Sequence, residues 1–443
     1  MADRRSLATG IVRRLREAGH DAYFAGGCVR DQLLGRDPLD YDVATSAPPE
    51  TVQALFSRTV PVGAQFGVVL VIADGVPFEV ATFRSDDAYV DGRRPSAVHF
   101  GSAREDALRR DFTINALFLD PLDDRVIDFV DGEADLRRGV VRAIGEARAR
   151  IAEDRLRMLR AVRFAARLGF TIDPATLAAV AAAAPTIVDI AQERIGDEIV
   201  KILTEGGARR GFELLAETGL VHAVLPEVAR MRGVAQSPDF HPEGDVFIHT
   251  LLLLEQLPGG APETLAFGAL LHDVAKPVCA GINDGRITFY GHPSVGADMA
   301  VAICQRLRRS RAVWERVDYL VRDHLRLVQA PEMRLSTLKK MLRHEGFDEL
   351  LALARMDALA SNGDLRYVEF CERRRTELAA ESDIRPPRLL GGDDLIALGY
   401  APGPLFAQIL GALEEAQLEG QVTTRGDAER FVAERFPRAQ AGR

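Results

Sequence analysis

The stretch FAGGCVRDQLLGRDPLDYDVATSAPPE, Phe24 to Glu50, joins an apolar run, two adjacent glycines, an Arg-Asp pair and the triplet Asp40-Tyr41-Asp42 in one short segment. Each ingredient alone carries little, since acidic pairs are common in turns and this one follows Pro38. Their order carries more. An apolar run ending in Gly26-Gly27 before CVRDQLL reads as a strand-to-helix turn, whose first backbone N–H groups can meet phosphate. Arg30 adds positive charge there, and Asp31 is placed to cap the helix or position Arg30. Asp40 and Asp42 are two residues apart, so on a strand both side chains leave one face of the sheet while Tyr41 points to the core. Such a pair suits Mg2+, which takes a few carboxylates together with phosphate oxygens and retained water. Paired ions held in this way activate an attacking hydroxyl and stabilise a leaving pyrophosphate. Glu79, in FEVATFR, lies on another predicted strand and can complete the cluster.

The 443 residues suffice for about three domains. With 47% hydrophobic and 27% charged residues, the composition is that of a globular protein rather than a disordered chain. No apolar run reaches the ~20 residues of a membrane helix, and MADRRSLATG lacks a secretory core, so a cytoplasmic location and no membrane partner are expected. Cys28, Cys279, Cys304 and Cys371 form no CxxC pattern and read as packing residues in a reducing compartment. The net charge of −9 argues against uniform nucleic-acid coating, yet Arg137 to Arg167 holds ten arginines and three acids, a local footprint for a polyanion.

The fold class expected is α+β. Short β-type runs bounded by Gly, Pro and Asp follow a helix near Leu7–Ala18, giving a head with a small mixed sheet over residues 1–135. From about Leu136 the apolar spacing becomes helical, giving an extended all-α remainder. Its expected parts are a neck, 136–240, a body, 241–335, and a tail, 336–443.

GGCVRDQLLGRDPLDYDVAT closely resembles the signature of the bacterial-type, class II tRNA nucleotidyltransferases and the related poly(A) polymerases. Further blocks agree in order and spacing: RRDFTINAL (Arg109–Leu117), DFVDGEADLRRGVVRAIG (Asp128–Gly145), EDRLRMLRAVRF (Glu153–Phe164) and ERIGDEIVKIL (Glu193–Leu203). The resemblance implies a nucleotidyltransferase head in which Asp40 and Asp42 are the Mg2+-binding catalytic pair and Glu79 a third acid. It also implies nucleotide contacts from Gly26, Gly27, Arg30, Arg110, Asp111 and Asn115. Asp154, Arg157, Arg160 and Arg163 complete the expected nucleotide-binding set.

The EDRLR block supports an argument of its own. Asp154 and Arg157 are i and i+3, hence neighbours on one helix face. The carboxylate accepts hydrogen bonds and the guanidinium donates them in a rigid fork. Cytosine and adenine both present an amino donor beside a ring acceptor, whereas guanine and uracil reverse that order. An Asp/Arg pair facing the base therefore selects C and A without a template. A surface salt bridge is the plainer reading of such a pair; the resemblance favours base reading, with Glu153 or Arg160 orienting Arg157.

A second constellation, DVFIHT, LLHDVAKP, YGHPSVGADMA and VRDHLRL, carries His249, His272-Asp273, His292 and Asp323-His324. His and Asp converging from helices can hold a divalent ion and activate water for phosphoester hydrolysis. The pattern resembles the HD phosphohydrolases and implies a second divalent metal on His249, His272, Asp273 and, as the final aspartate, Asp323.

The expected function is template-independent addition of the 3′-terminal CCA to tRNA from CTP and ATP, with the tail, Leu389–Val432, contacting tRNA. The segment Val60–Val71 resembles the tRNA enzymes more than the poly(A) polymerases, and the loop Arg84–Gly101 has the length that CC-only enzymes lack. An A-adding enzyme and an HD phosphohydrolase with a nucleotide-sensing head are the alternatives.

Overall fold

The computed structural model describes residues 3–62, 67–86, 98–237, 241–242, 244–380 and 384–437. Most of the loop Arg84–Gly101 and the centre of Val60–Val71, both used above to separate activities, lie outside the described residues. The chain forms two compact units, one of Met1–Arg230 with Leu257–Ala261 and Arg306–Arg309, the other of Met231–Gln256, Pro262–Gln305 and Ser310–Arg443.

The first unit begins with α1 (Arg4–Glu17), which starts where the Asp3 carboxylate accepts the Ser6 N–H and which buries Ile11, Val12 and Leu15. There follow β1 (Ala22–Ala25), α2 (Gly27–Leu33), β2 (Val43–Thr45), α3 (Pro49–Leu55), β3 (Thr59–Pro61), β4 (Val68–Ala73) and β5 (Val76–Thr82). A ribbon of β6 (Arg84–Asp86) and β7 (Val98–Phe100) leads to α4 (Ala103–Leu108), β8 (Phe118–Asp120) and β9 (Arg125–Ile127). Seven of these strands form one sheet in the order β3-β4-β5-β2-β1-β8-β9. Strands β2 and β5 run parallel and the other neighbours antiparallel, so the sheet is mixed, as expected. Its buried side is aromatic, with Tyr23 and Phe118 ringing Phe83 at centroid distances of 6.1 and 5.9 Å.

Register sets the acids. Val43 pairs with Val80, and both are buried. One residue earlier on each strand path, Asp42 and Glu79 therefore fall side by side on the opposite, accessible face.

Helices α5 (Gly132–Arg138), α6 (Ala147–Glu153), α7 (Arg157–Leu168), α8 (Pro174–Ala183) and α9 (Gln192–Thr204) complete most of this unit. Helix α7 is buried along most of its length and stops at Gly169, whose φ of 71° a glycine adopts freely. The expectation that Asp154 and Arg157 share a helix is corrected. Helix α6 ends at Glu153, Asp154 is extended (φ −142°, ψ 106°), and α7 starts at Arg157. The cause is local: the Asp154 carboxylate accepts the Leu156 N–H at 3.0 Å, an alternative to continuing the helix.

The second unit is almost entirely helical. Helices Val246–Glu255, Glu263–Leu271, His292–Arg306, Arg311–Asp323 and Phe347–Ala360 supply its first part, with a small ribbon of Gly281–Asn283 and Arg286–Thr288. Three further helices, ending with Arg425–Arg435, pack around Leu395, Tyr400, Ile409 and Leu413. No helix among the described residues is long and apolar enough to cross a membrane.

Candidate functional site

A cleft of about 610 Å³ opens in the first unit where the sheet meets α2, α4 and α7. Gly26, Gly27, Arg30, Asp42, Glu79, Arg110, Asp111, Asn115, Asp154, Arg157 and Arg160 all line it, although they are scattered over 135 residues of sequence. Asp40 and Arg163 do not.

Gly26 makes the turn between β1 and α2 with φ 71° and ψ −123°, and its N–H donates to the Leu117 carbonyl at 3.1 Å. A Cβ there would stand 3.0 Å from the Arg110 Nη1. Glycine is thus required both by conformation and by the approach of Arg110. The turn aims the start of α2 into the cleft, where its first N–H groups have no partners inside the helix. Arg30 is buried, held by Asp31 at 2.7 Å and by the Asn115 Oδ1 at 2.7 Å. Asp31 thus positions Arg30 and does not cap the helix.

Asp42 is open to the cleft yet crowded by protein. That crowding, then the Glu79 carboxylate, and Asp40 beyond it, push its carboxyl up to about 6 against the pull of Arg110. A carboxylate so destabilised by its own kind is suited to a cation, so the donor set fits a divalent ion of hard character. Asp40 is exposed and turned to Arg4, whose Nη1 lies 2.7 Å from its Oδ1 and 2.6 Å from the Leu39 carbonyl.

Arg110 is fixed by a residue that motif reading passed over. Asp106 on α4 is buried and takes Arg110 at 2.8 Å and Arg109 at 2.6 Å. Burial opposes its ionisation, but Arg110 and Arg109 keep its carboxyl below the usual range. The spacing i, i+3 and i, i+4 in EDALRR was the available signal. Asp111 has the same logic: burial works against its charge, yet Arg160 at 2.6 Å, the Asn115 amide at 3.1 Å and the Phe112 N–H at 2.8 Å hold it down at about 2.

At the far wall, Glu153 orients Arg157, accepting from its Nη1, while the Arg150 and Arg109 carbonyls accept from Nη1 and Nη2 at 2.7 and 3.2 Å. Asp154 is gripped by Arg194 of α9, Nη2 to Oδ2 at 2.9 Å. Arg194 lies in the ERIGDEIVKIL block, but nothing in the sequence alone links it to Asp154. Arg163, expected to touch nucleotide, is corrected: it is buried against Glu198 at 2.8 Å and Glu205 at 3.0 Å, a structural tie between α7 and α9.

In the second unit the expected His249, His272 and Asp273 come together, and Asp323 does not join them. Asp323 pairs with Arg326 at 3.3 Å. The acid at the cluster is Asp357, 3.0 Å from the His249 Nε2. A body ending at 335 excludes it; the signal was a lone acid in the apolar helix LLALARMDALA. Among the described residues two groups could hold a metal ion: His249, His272 and Asp357, and Asp273, His292 and His324. Burial, then His272, pushes the His324 imidazole down to about 4.

A mixed sheet presenting clustered acids beside a glycine turn, under a cleft walled with arginine, defines a nucleotidyltransferase head. Comparison with known proteins agrees: the Poly A polymerase head domain matches residues 22–142, the probable RNA and SrmB-binding site of polymerase A residues 169–231, and the HD domain residues 245–362. The CCA-adding enzyme of Levilactobacillus brevis is 34% identical over 422 residues, 94% of each chain. That of Geobacillus stearothermophilus is 48% identical over 223 residues, 50% of this chain and 55% of that protein. The crystal structure of the Bacillus stearothermophilus CCA-adding enzyme in complex with CTP superposes with a TM-score of 0.75 at 28% identity, covering 98% of both chains. The chain belongs to the family of CCA-adding enzymes.

Proposed function

We propose that this protein completes the 3′ end of tRNA, adding CCA from CTP and ATP without a template and releasing pyrophosphate. The observation that carries the reading is the single cleft that joins the Asp42–Glu79 acids to the Asp154–Arg157 pair. The cleft binds the nucleoside triphosphate with its phosphates toward Gly27, Arg30 and Arg110 and its base toward Asp154 and Arg157. Asp40 and Asp42, with Glu79 beside them, would hold Mg2+, which when bound activates the RNA hydroxyl and offsets charge on the leaving pyrophosphate. Arg157 has two of its nitrogens engaged by Glu153 and two backbone carbonyls, which fixes the plane of the guanidinium. Arg194 does the same for Asp154 while leaving carboxylate lone pairs to accept an amino group. Cytosine and adenine meet that edge; guanine and uracil leave its donors and acceptors mismatched.

The divisions at residues 135 and 240, a cytoplasmic location, and tRNA contacts from the tail belong to the same reading, with the body carried past 335 to take in Asp357. The buried histidine cluster favours a second activity, hydrolysis of phosphate esters by the second unit. Replacing Asp40 and Asp42 by Ala separates the two: nucleotide incorporation into tRNA should vanish while any phosphatase activity survives. Incorporation that persists in the double variant overturns the assignment of the head.

A further inference from the structure

Phe164 is an apolar side chain in a cleft wall otherwise made of charge. It is 5% exposed, and its ring forms part of the lining. Three guanidinium groups stand over that ring: Arg163 at 4.4 Å from the centroid, Arg30 at 5.2 Å and Arg160 at 5.3 Å. They arrive from two elements. Arg160 and Arg163 belong to α7, as Phe164 does, whereas Arg30 reaches in from α2. Arg163 is tied to Glu198 and Glu205, which leaves Arg30 and Arg160 as the two that also line the cleft. The ring is itself held in place, since Phe112, next in sequence to Asp111, meets it edge-on at 5.9 Å and 78°.

The two cleft arginines have separate hydrogen-bonding partners. Asp31 and the Asn115 Oδ1 hold Arg30, Asp111 holds Arg160 at 2.6 Å, and the Asn115 amide joins the two arms at 3.1 Å from Asp111. Like charge still crowds the place. Burial disfavours the Arg30 charge, Asp31 favours it, and Arg167 and Arg163 add repulsion. A further carboxylate between the arginines would hold them, but it would also cancel their charge and repel an incoming phosphate. An aromatic ring does neither: its negative face attracts a cation while its net charge stays zero. We propose that Phe164 is a positioning residue for the triphosphate, its ring setting Arg30 and Arg160 at a fixed separation with their charge left available to the phosphates. A leucine would fill the same space without that face.

This inference rests on the nucleotidyltransferase reading of the head and adds to it a residue that acts through two arginines. The test places mono-, di- and trifluorinated phenylalanine at position 164 of the full chain by stop-codon suppression. Fluorine drains the negative face step by step while the ring nearly keeps its shape. KM for CTP and for ATP in tRNA extension should rise stepwise along the series, with kcat changed by less than about twofold, and Phe164→Leu should raise KM roughly three- to tenfold. A ring that merely packs would leave KM unmoved. A KM that stays flat along the series therefore overturns the proposal, whatever the melting temperature or kcat does, and so does a folded Phe164→Leu with the parent's KM. The near-isosteric series decides even if Phe164→Leu fails to fold. A parent that incorporates neither CTP nor ATP overturns the reading and the proposal together, whereas an active parent with a flat series overturns the proposal alone.

Discussion

The Arg194 guanidinium lies 2.9 Å from the Asp154 carboxylate and ties α9 to the break between α6 and α7. The break lets Asp154 and Arg157 share a cleft wall without sharing a helix, and Arg194 is the residue that holds the acid side of the pair. Arg194→Ala should therefore relax base choice more than it slows the reaction. A lost charge-assisted hydrogen bond is worth about 1.5 kcal/mol or more, so the preference for CTP and ATP over UTP and GTP should fall at least roughly tenfold. Ratios of kcat/KM for the four nucleotides check this; an unchanged ratio removes Arg194 from base reading.

Asp42 gives a pH-linked stability test. Its carboxyl is raised to about 6, so the folded metal-free chain favours the protonated form. The stabilisation from that proton is present at acid pH and is lost as pH rises through 6. In chelator at pH 7.5, Asp42→Asn should melt roughly 1–3 °C above the parent, and the gap should close below pH 4. Added Mg2+ should stabilise the parent alone. Melting curves in paired buffers decide it.

Asp111 behaves in the opposite sense. Held at about 2 by Arg160 and Asn115 against the effect of burial, it contributes stability above its ordinary pKa that is lost as pH falls through 2. Asp111→Ala should cost about 2 kcal/mol at neutral pH and should release Arg160, raising KM for the nucleotide. Chemical denaturation and steady-state kinetics on one preparation measure both.

The ion pair of Arg4 and Asp40 is exposed on both sides. Such pairs contribute little, so Arg4 should yield Asp40 readily to a cation. Arg4→Ala should change the Mg2+ concentration for half-maximal activity by less than about threefold. A larger shift would make Arg4 part of the metal site's control.

Gly26→Ala combines a φ of 71° with a Cβ 3.0 Å from Arg110. Strain of this kind costs about 1–3 kcal/mol and displaces a cleft arginine, so activity should drop at least about tenfold. Circular dichroism separates that loss from unfolding.

The head was legible because its chemistry is local. Gly26-Gly27 and Asp40-Tyr41-Asp42 sit within one turn and one strand path, and period-two alternation predicts the buried Tyr41, whose ring lies 5.1 Å from Phe24. Strands β8 and β9 each span three residues on either side of a charged turn, too short for alternation to show in the sequence. The break at Asp154 was hidden because EDRLRMLRAVRFAARLGF has the apolar spacing of a helix, and the Asp154 side chain's bond to Leu156 leaves no mark on that spacing. Arg194 and Asp357 meet their partners across 40 and 108 residues, respectively, and pairings of that range are set by packing, which spacing does not encode.

The measurement that bears most directly on the central claim is incorporation of labelled CTP and ATP, separately and together, into tRNA transcripts ending before CCA, after C and after CC. The account predicts two C additions followed by one A on the shortest transcript, and completion of each longer one. Addition of A alone, and only to the CC-ended transcript, would contradict it and make this the A-adding half of a divided activity.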